Sequence, residues 1–316
     1  MSRIVFFGSP DFAVPSLEAL SAGPMRPALV VTQPDRPAGR GRRPAPTAVR
    51  RAAERLGIET EVIGSFRRGE GRERLASLGA DFFVVAAFGL IFPEEILRLP
   101  RRAAVNLHAS LLPAWRGASP VNMAIVSGDR ITGVSTIRMV RELDAGPVYM
   151  QRAIEIGERE TAGELSGRLA AAGAALLVET IERIEGGALE PSPQPDEGIT
   201  YAPRLKKRDG EIPWHRRAAS VHDHIRGMNP WPGSYTAFGG TLLKVLAAEP
   251  APETDHDAAP GTVLDAAGEA VTVACGSGAV RLLRLQSEGR RPLPAEQFLR
   301  GFRLSPGDRL TGACHD

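Results

Sequence analysis

Five short strand-like runs in the first third of this chain, each parted from the next by a helix-patterned stretch, leave very few possible architectures. The runs lie in "RIVFFG", "PALVVTQ", "ETEVI", "DFFVVAAFG" and "AAVNLHAS". Between them stand "PDFAVPSLEALSAG", "APTAVRRAAERLGI", "RERLASLGA" and "FPEEILRLP". Continuous apolar strands are buried on both faces, and a strand–helix–strand rhythm achieves this with a parallel sheet between two layers of helices. The expected fold is α/β, an N-terminal Rossmann-like doubly wound, mostly parallel sheet. Ligands of such sheets sit beyond the carboxyl ends of the strands, so the turns after these runs are where chemistry belongs.

The pattern then changes. "TGVSTIRMV" and "GPVYMQRAIEI" alternate apolar and polar residues on either side of "RELDAG", as a hairpin does. Thr161 and Glu164 make a capping-box pattern ahead of "LAAAGAALLVETIERI", and Gly186 and Gly187 stop that helix. The Pro- and acid-rich "EPSPQPDEG" reads as a linker. One helix, "RRAASVHDHIRGM", and a series of short Gly- and Pro-bounded strands follow, predicting a smaller C-terminal β-barrel of OB-like type. The expected division is 1–189 for the catalytic domain, 190–206 for the linker and 207–316 for the barrel. With 43% apolar residues, both parts can bury a core.

Several function classes drop out on composition. A net charge of +2 is too mild for a general nucleic-acid coat, so only local charge clusters count. Two isolated cysteines, Cys275 and Cys314, argue against a disulfide framework or a cysteine-rich metal site. The start "MSRIVFFGSP" lacks the apolar region of a signal peptide, and no run is long enough to span a bilayer; a cytoplasmic protein is expected. "GSPDF" lacks the third glycine and the ribose-binding acid of a dinucleotide fingerprint. "HDH" at 222–224 places two histidines at i, i+2 on a predicted helix, where they diverge and do not chelate.

"NLHASLLPAWRG" at 106–117 is different. On a strand, Asn106 and His108 point to the same side. An amide and a protonated imidazole converging on one point suit the oxyanion of an acyl transfer, whereas the spacing alone reads first as a hydrogen-bonded polar pair capping a strand end. Pro113, Gly117 and Pro120 restrict the loop that follows. Asp144, in "LDAG", reads first as an ordinary turn residue. Folded back, it would hold His108 in its charged form and pass a proton.

"NLHASLLPAWRGASP", "TGVSTIRM" and "LDAGPV" together resemble the formyltransferases that use 10-formyltetrahydrofolate. "FFGSPDFAVPSLEAL", "VTQPDRPAGRGRRPAPTAV", "VVAAFGLIFPEEIL", "TYAPRLKKRDGEIPW", "IRGMNPWPGSY" and "PGTVL" extend the likeness over nearly the whole chain, to the branch acting on methionyl initiator tRNA. The resemblance implies that Asn106, His108 and Asp144 are the catalytic residues. It implies attack of the methionyl α-amine on the formyl carbonyl of 10-formyltetrahydrofolate, with neither a metal nor a covalent intermediate. It also implies a folate pocket of Phe88, Gly89, Leu90 and Ile91 on one side and Ser110, Leu111, Leu112 and Pro113 on the other.

The acceptor is decided elsewhere. Arg36, Arg40, Arg42, Arg43 and Arg50 cluster around Gly and Pro, with no acid between Asp35 and Arg50. Placed at the strand ends, they suit phosphate contacts, and the resemblance implies a loop entering the tRNA acceptor stem, with Arg40 matching its key arginine. That loop is expected to lack order without RNA. Arg204, Lys206, Lys207 and Arg208 form a second basic cluster, for solubility or for RNA. Pro-flanked Trp231 is expected to be buried in packing between the domains rather than to serve as a base-stacking platform. Arg141 and Glu142 depart from relatives, which often carry smaller or uncharged residues before "LD". The chain is expected to act as a monomer away from membranes. Two other readings stay open: a formyltransferase for a small amine such as a sugar nucleotide, and a non-catalytic RNA-binding module.

Overall fold

A computed structural model describes residues 2–38, 43–67, 71–251, 254 and 256–312; of residues 36–38 and 43 the backbone alone is described. Contacts divide the chain into two units. The first comprises Met1–Pro120, Ile131–Glu155 and Ser166–Ala202, the second Val121–Arg130, Ile156–Leu165 and Pro203–Asp316.

The first unit contains β1 (Ile4–Gly8), α1 (Val14–Ala22), β2 (Leu29–Thr32), β3 (Arg36–Ala38), β4 (Arg43–Ala45), α2 (Ala48–Leu56), β5 (Thr60–Val62) and α3 (Arg72–Ser77). It continues with β6 (Phe82–Ala86), α4 (Glu94–Leu97), β7 (Ala103–His108) and β8 (Arg116–Gly117). Beyond α5 (Pro120–Val126), which belongs to the second unit from Val121 on, the first unit resumes with β9 (Ile131–Arg138), β10 (Val148–Glu155), α6 (Ala162–Glu185; its first turn is in the second unit) and β11 (Tyr201–Ala202). All five apolar runs form strands, and they pair in parallel. Sheet order is β10-β9-β7-β6-β1-β2-β5, with the expected hairpin β9–β10 added antiparallel at one edge.

The chain runs outward from β1 through β2 to β5, then crosses back to β6 and β7. The order therefore reverses between β1 and β6, opening a crevice at their carboxyl ends. One face of the sheet, with Phe7, Val31, Phe83 and Val85, packs under Leu75 of α3 and Ile96 of α4. On the other face, α6 comes so close to β7 that a Cβ on Gly173 would lie 2.8 Å from Leu107 Cδ2. The backbone around the arginine loop forms a small antiparallel ladder, Arg36 opposite Ala45 and Ala38 opposite Arg43. Arg36 and Arg43 stand in this ladder, and the centre of the loop, with Arg40 and Arg42, lies outside the described residues.

The second unit carries α7 (Ala218–Gly227), β12 (Ser234–Phe238), β13 (Thr241–Pro250), β14 (Val263–Asp265), β15 (Val271–Ala274), β16 (Ala279–Ser287), β17 (Leu293–Pro294) and α8 (Ala295–Leu299). Its antiparallel sheet runs β12-β13-β16-β15-β14. The end strands are joined by one segment: the Thr311 amide donates to Ala237 O, and Val263 N donates to Asp308 O. The result is a partly closed barrel whose core includes Trp214, Ile225, Val245, Val273, Leu282 and Phe298. Arg226 of α7 binds the 156–165 segment to this unit by donating to Gly157 O and Glu160 O, while its Nε donates to Asp223. The capping box forms as expected, Thr161 N donating to Glu164 and Glu164 N to Thr161 Oγ1.

Trp231 is corrected by the structure: the residue is 60% exposed. The Asn122 amide donates to Trp231 O and Gly227 O, which pins the loop by its backbone and leaves the indole outside.

Candidate active site

β7 ends at His108. The pleat turns Asn106 and His108 away from the Leu107 face that α6 covers. Asn106 is half-buried and His108 buried. Among the described residues, nothing is hydrogen-bonded to the Asn106 amide, which leaves both of its N–H groups for a ligand.

The loop after His108 is held by the hairpin strands. Ser135, opposite His108 in the ladder, accepts the Leu112 amide at 3.1 Å and donates to Ser110 O at 2.6 Å. Gln151 donates to Leu112 O and to Ser135 Oγ. Ser110 spends its own hydroxyl on Ala114 O, and Leu111 packs over Gly133. Ser110 and Leu112 are buried, whereas Leu111 and Pro113 are half-buried. Neither Ser135 nor Gln151 was legible as a site residue, because on an alternating strand each looks like the solvent-facing member of the pair.

His108 Nε2 lies 2.9 Å from Trp115 O. A carbonyl can only accept, so Nε2 carries a proton and Nδ1 is the nitrogen whose proton is variable. Nδ1 faces Asp144 Oδ2 at 3.6 Å, an ion pair whenever the ring is protonated. The Gly117 amide donates to the same Oδ2 at 2.8 Å. Asp144 itself has φ +49°, a left-handed conformation that short polar side chains tolerate better than most. Glu142 is exposed, so its charge is solvated.

β6 and β7 run side by side, with Ala86 opposite Leu107, so their loops leave the same edge of the sheet. In the first, Phe88 is buried against Phe7, Phe66 and Phe92, and its carbonyl accepts from Gln33 at 2.6 Å. Gly89 at φ +79° turns the chain outward; Leu90 is half-buried and Ile91 exposed. Phe88 is thus part of the aromatic core under this turn, and Ile91 is the side chain that the turn exposes.

The segment read as a linker lies along this site. Ser192 pairs with Val148, Gln194 donates to Asp144 O and Gly146 O, and β11 pairs in parallel with β8. Thr200 Oγ1 accepts the Trp115 amide at 2.8 Å.

The basic candidates fall into separate groups. Arg50, on α2, pairs with Asp35 and Glu54 and is therefore not a free phosphate ligand. Lys206 and Lys207, with Arg204 and Arg208, are exposed in the second unit. Cys275 is buried and its thiol pushed up to about 12 by that burial, which leaves it unreactive; Cys314 lies outside the described residues. Among the described residues no three His, Cys, Asp or Glu side chains gather as a metal site would need. No helix among them is long and apolar enough to cross a membrane.

Residues 2–181 match the formyl transferase family and residues 204–303 the formyl transferase C-terminal domain. The chain is 46% identical to the methionyl-tRNA formyltransferase of Gluconobacter oxydans, covering 98% of this chain and 99% of that protein. It is 45% identical to that of Aromatoleum aromaticum, covering 99% and 98%. Among solved structures it is similar in fold to the N-formyltransferase from Helicobacter canadensis, in complex with folinic acid and dTDP-3-aminofucose (TM-score 0.68, 18% identity, 89% of this chain and 99% of that one). The sugar 3N-formyltransferase WlaRD gives a TM-score of 0.67 at 16% identity, over 92% and 99%. With both halves matched in order and the strand-end geometry in place, the conclusion is that the chain belongs to the formyl transferase family.

Proposed function

We propose that this chain transfers the formyl group of 10-formyltetrahydrofolate to the α-amine of methionyl initiator tRNA, giving formylmethionyl-tRNA. The observation that carries this reading is the 43–46% identity, over essentially the full chain, to proteins named for that activity. In the reaction the amine nitrogen forms a bond to the formyl carbon. The bond from that carbon to the folate nitrogen breaks, and the proton lost by the amine passes to the departing nitrogen.

In this reading the Asn106 amide donates to the oxyanion, and His108, charged, adds positive field to it. Asp144 holds that charge through Nδ1 and serves as the proton carrier. Phe88, Gly89, Leu90 and Ile91 form one wall of the folate pocket. Ser110, Leu111, Leu112 and Pro113 form the other, the buried members by shaping backbone. Arg36, Arg40, Arg42 and Arg43 engage the acceptor stem, and Lys206 and Lys207 the tRNA body. Residues 1–189 are assigned to catalysis, 190–206 to the connection and 207–316 to tRNA docking, in a monomer working in the cytoplasm.

The test is direct. The purified protein, given 10-formyltetrahydrofolate and charged initiator tRNA, is expected to yield formylmethionyl-tRNA. A folded protein that yields none overturns the proposal. Turnover of a small amine without RNA, unaffected by Arg40→Ala, would assign it to the small-amine branch instead.

A further inference from the structure

We propose that Gln194 is a positioning residue for acyl transfer, fixing Asp144 against His108 through its side-chain amide. The inference rests on the reading of Asp144 as catalytic.

Asp144 needs an external anchor. It is left-handed at φ +49° beside exposed Leu143, inside a turn whose Ala145 N to Glu142 O bond is long at 3.4 Å. Gln194 Nε2 supplies the missing hold by donating to Asp144 O at 2.7 Å and Gly146 O at 2.8 Å. Both amide protons are thus spent on the carbonyls that flank the aspartate loop.

The amide oxygen does a second job. It accepts Arg116 Nε at 3.1 Å and Nη2 at 2.7 Å, a two-pronged contact with a planar guanidinium. Arg116 stands between Trp115, whose carbonyl takes His108 Nε2, and Gly117, whose amide holds Asp144 Oδ2. One primary amide therefore ties together the two backbone segments that orient the histidine and the aspartate. Its own position is set on both sides, by the Ser192–Val148 bridge and by the β8–β11 pairing.

The side-chain chemistry is selective. Two donors and one acceptor are required at once, and among side chains of this length only an uncharged amide offers them. Glutamate would keep the Arg116 contact yet set a carboxylate against two carbonyl oxygens.

The experiment compares Gln194→Ala, Gln194→Glu and Gln194→Met in the full chain, each alone and combined with Asp144→Asn, with thermal melts confirming folding. Misplacing a catalytic group without losing it costs up to about a hundredfold. Gln194→Ala and Gln194→Glu are expected to lower kcat by about tenfold to a hundredfold, leave KM for tRNA within about twofold, and change the pH profile of kcat. In the Asp144→Asn background the same changes are expected to add nothing, since the positioned group is gone. A silent Gln194→Ala and Gln194→Glu beside an inactive Asp144→Asn overturns the positioning role alone, as does a full additional loss in the double variants. Full turnover by Asp144→Asn overturns the reading beneath it. If Gln194→Ala does not fold, Gln194→Met, which keeps the length without the amide, is expected to show the same loss of kcat, and a silent Met variant overturns the role.

Discussion

The carbonyl oxygen of Ala202 fills the space that a side chain on Gly117 would need: a Cβ there would lie 2.5 Å from it, at a φ of +123°. Gly117→Ala therefore meets both a steric barrier and a disfavoured backbone. The expected result is a loss of at least about 2 kcal/mol in urea unfolding and a fall in turnover, as the Gly117 amide is pulled from Asp144. Wild-type stability in this variant would contradict the tight β8–β11 approach.

Asp144→Asn keeps shape and removes charge. Loss of a positioned acid–base group costs on the order of a hundredfold to ten-thousandfold, so kcat is expected to drop within that range while tRNA affinity stays near its original value. Single-turnover formylation and filter binding check the two halves separately.

How much of this was legible differs by residue. The parallel strands could be read because buried strands need unbroken apolar runs, and Asn106 and His108 share a face by the period of the pleat alone. Asp144 was weaker in the sequence, since Asp-x-Gly is common turn chemistry and its place beside His108 depends on a loop folding back; the family resemblance was needed to favour that reading. Gln194 was hidden by composition: a proline-rich acidic stretch looks like a spacer, although here its amide is held at four heteroatoms. Trp231 was misread because burial statistics for tryptophan describe rings, whereas its loop is fastened by backbone oxygens.

Acid should weaken the second unit through His224. Its Nε2 is buried without a partner, and burial, with Arg216 nearby, lowers the ring to about 4, although Asp209 and the Gly210 backbone pull the other way. The unfolded chain then binds the proton more readily than the folded one. Stability is full above the ordinary value of 6.5 and falls as the pH drops from 6.5 through 4, by about 3 kcal/mol in total. Denaturation at pH 7, 5.5 and 4.5 is expected to show a flatter dependence for His224→Gln, which takes up no proton.

Arg226 presents a harsher test. It is buried, paired with Asp223 and bonded to two carbonyls of the 156–165 segment. Arg226→Met leaves Asp223 and both carbonyls without their donor, a loss expected to cost about 3 kcal/mol. A urea midpoint unchanged from the parent would show that the pair contributes nothing.

Arg40→Ala is expected to raise KM for tRNA with little change in kcat, and to lower the slope of log affinity against log salt by about one. An unchanged slope would remove Arg40 from phosphate contact.

Residues 307–311 join β12 to the β14 edge, and they follow every strand of that barrel in the chain. During synthesis, β12 must therefore wait for a piece of chain made about seventy residues later before its outer edge is paired. Contacts so distant in sequence are slow to form, and until they do both edges offer open backbone to other chains. Closure of this sheet is therefore expected to come late in synthesis, and until then the unpaired edge of β12 is where a nascent molecule can pair with another chain.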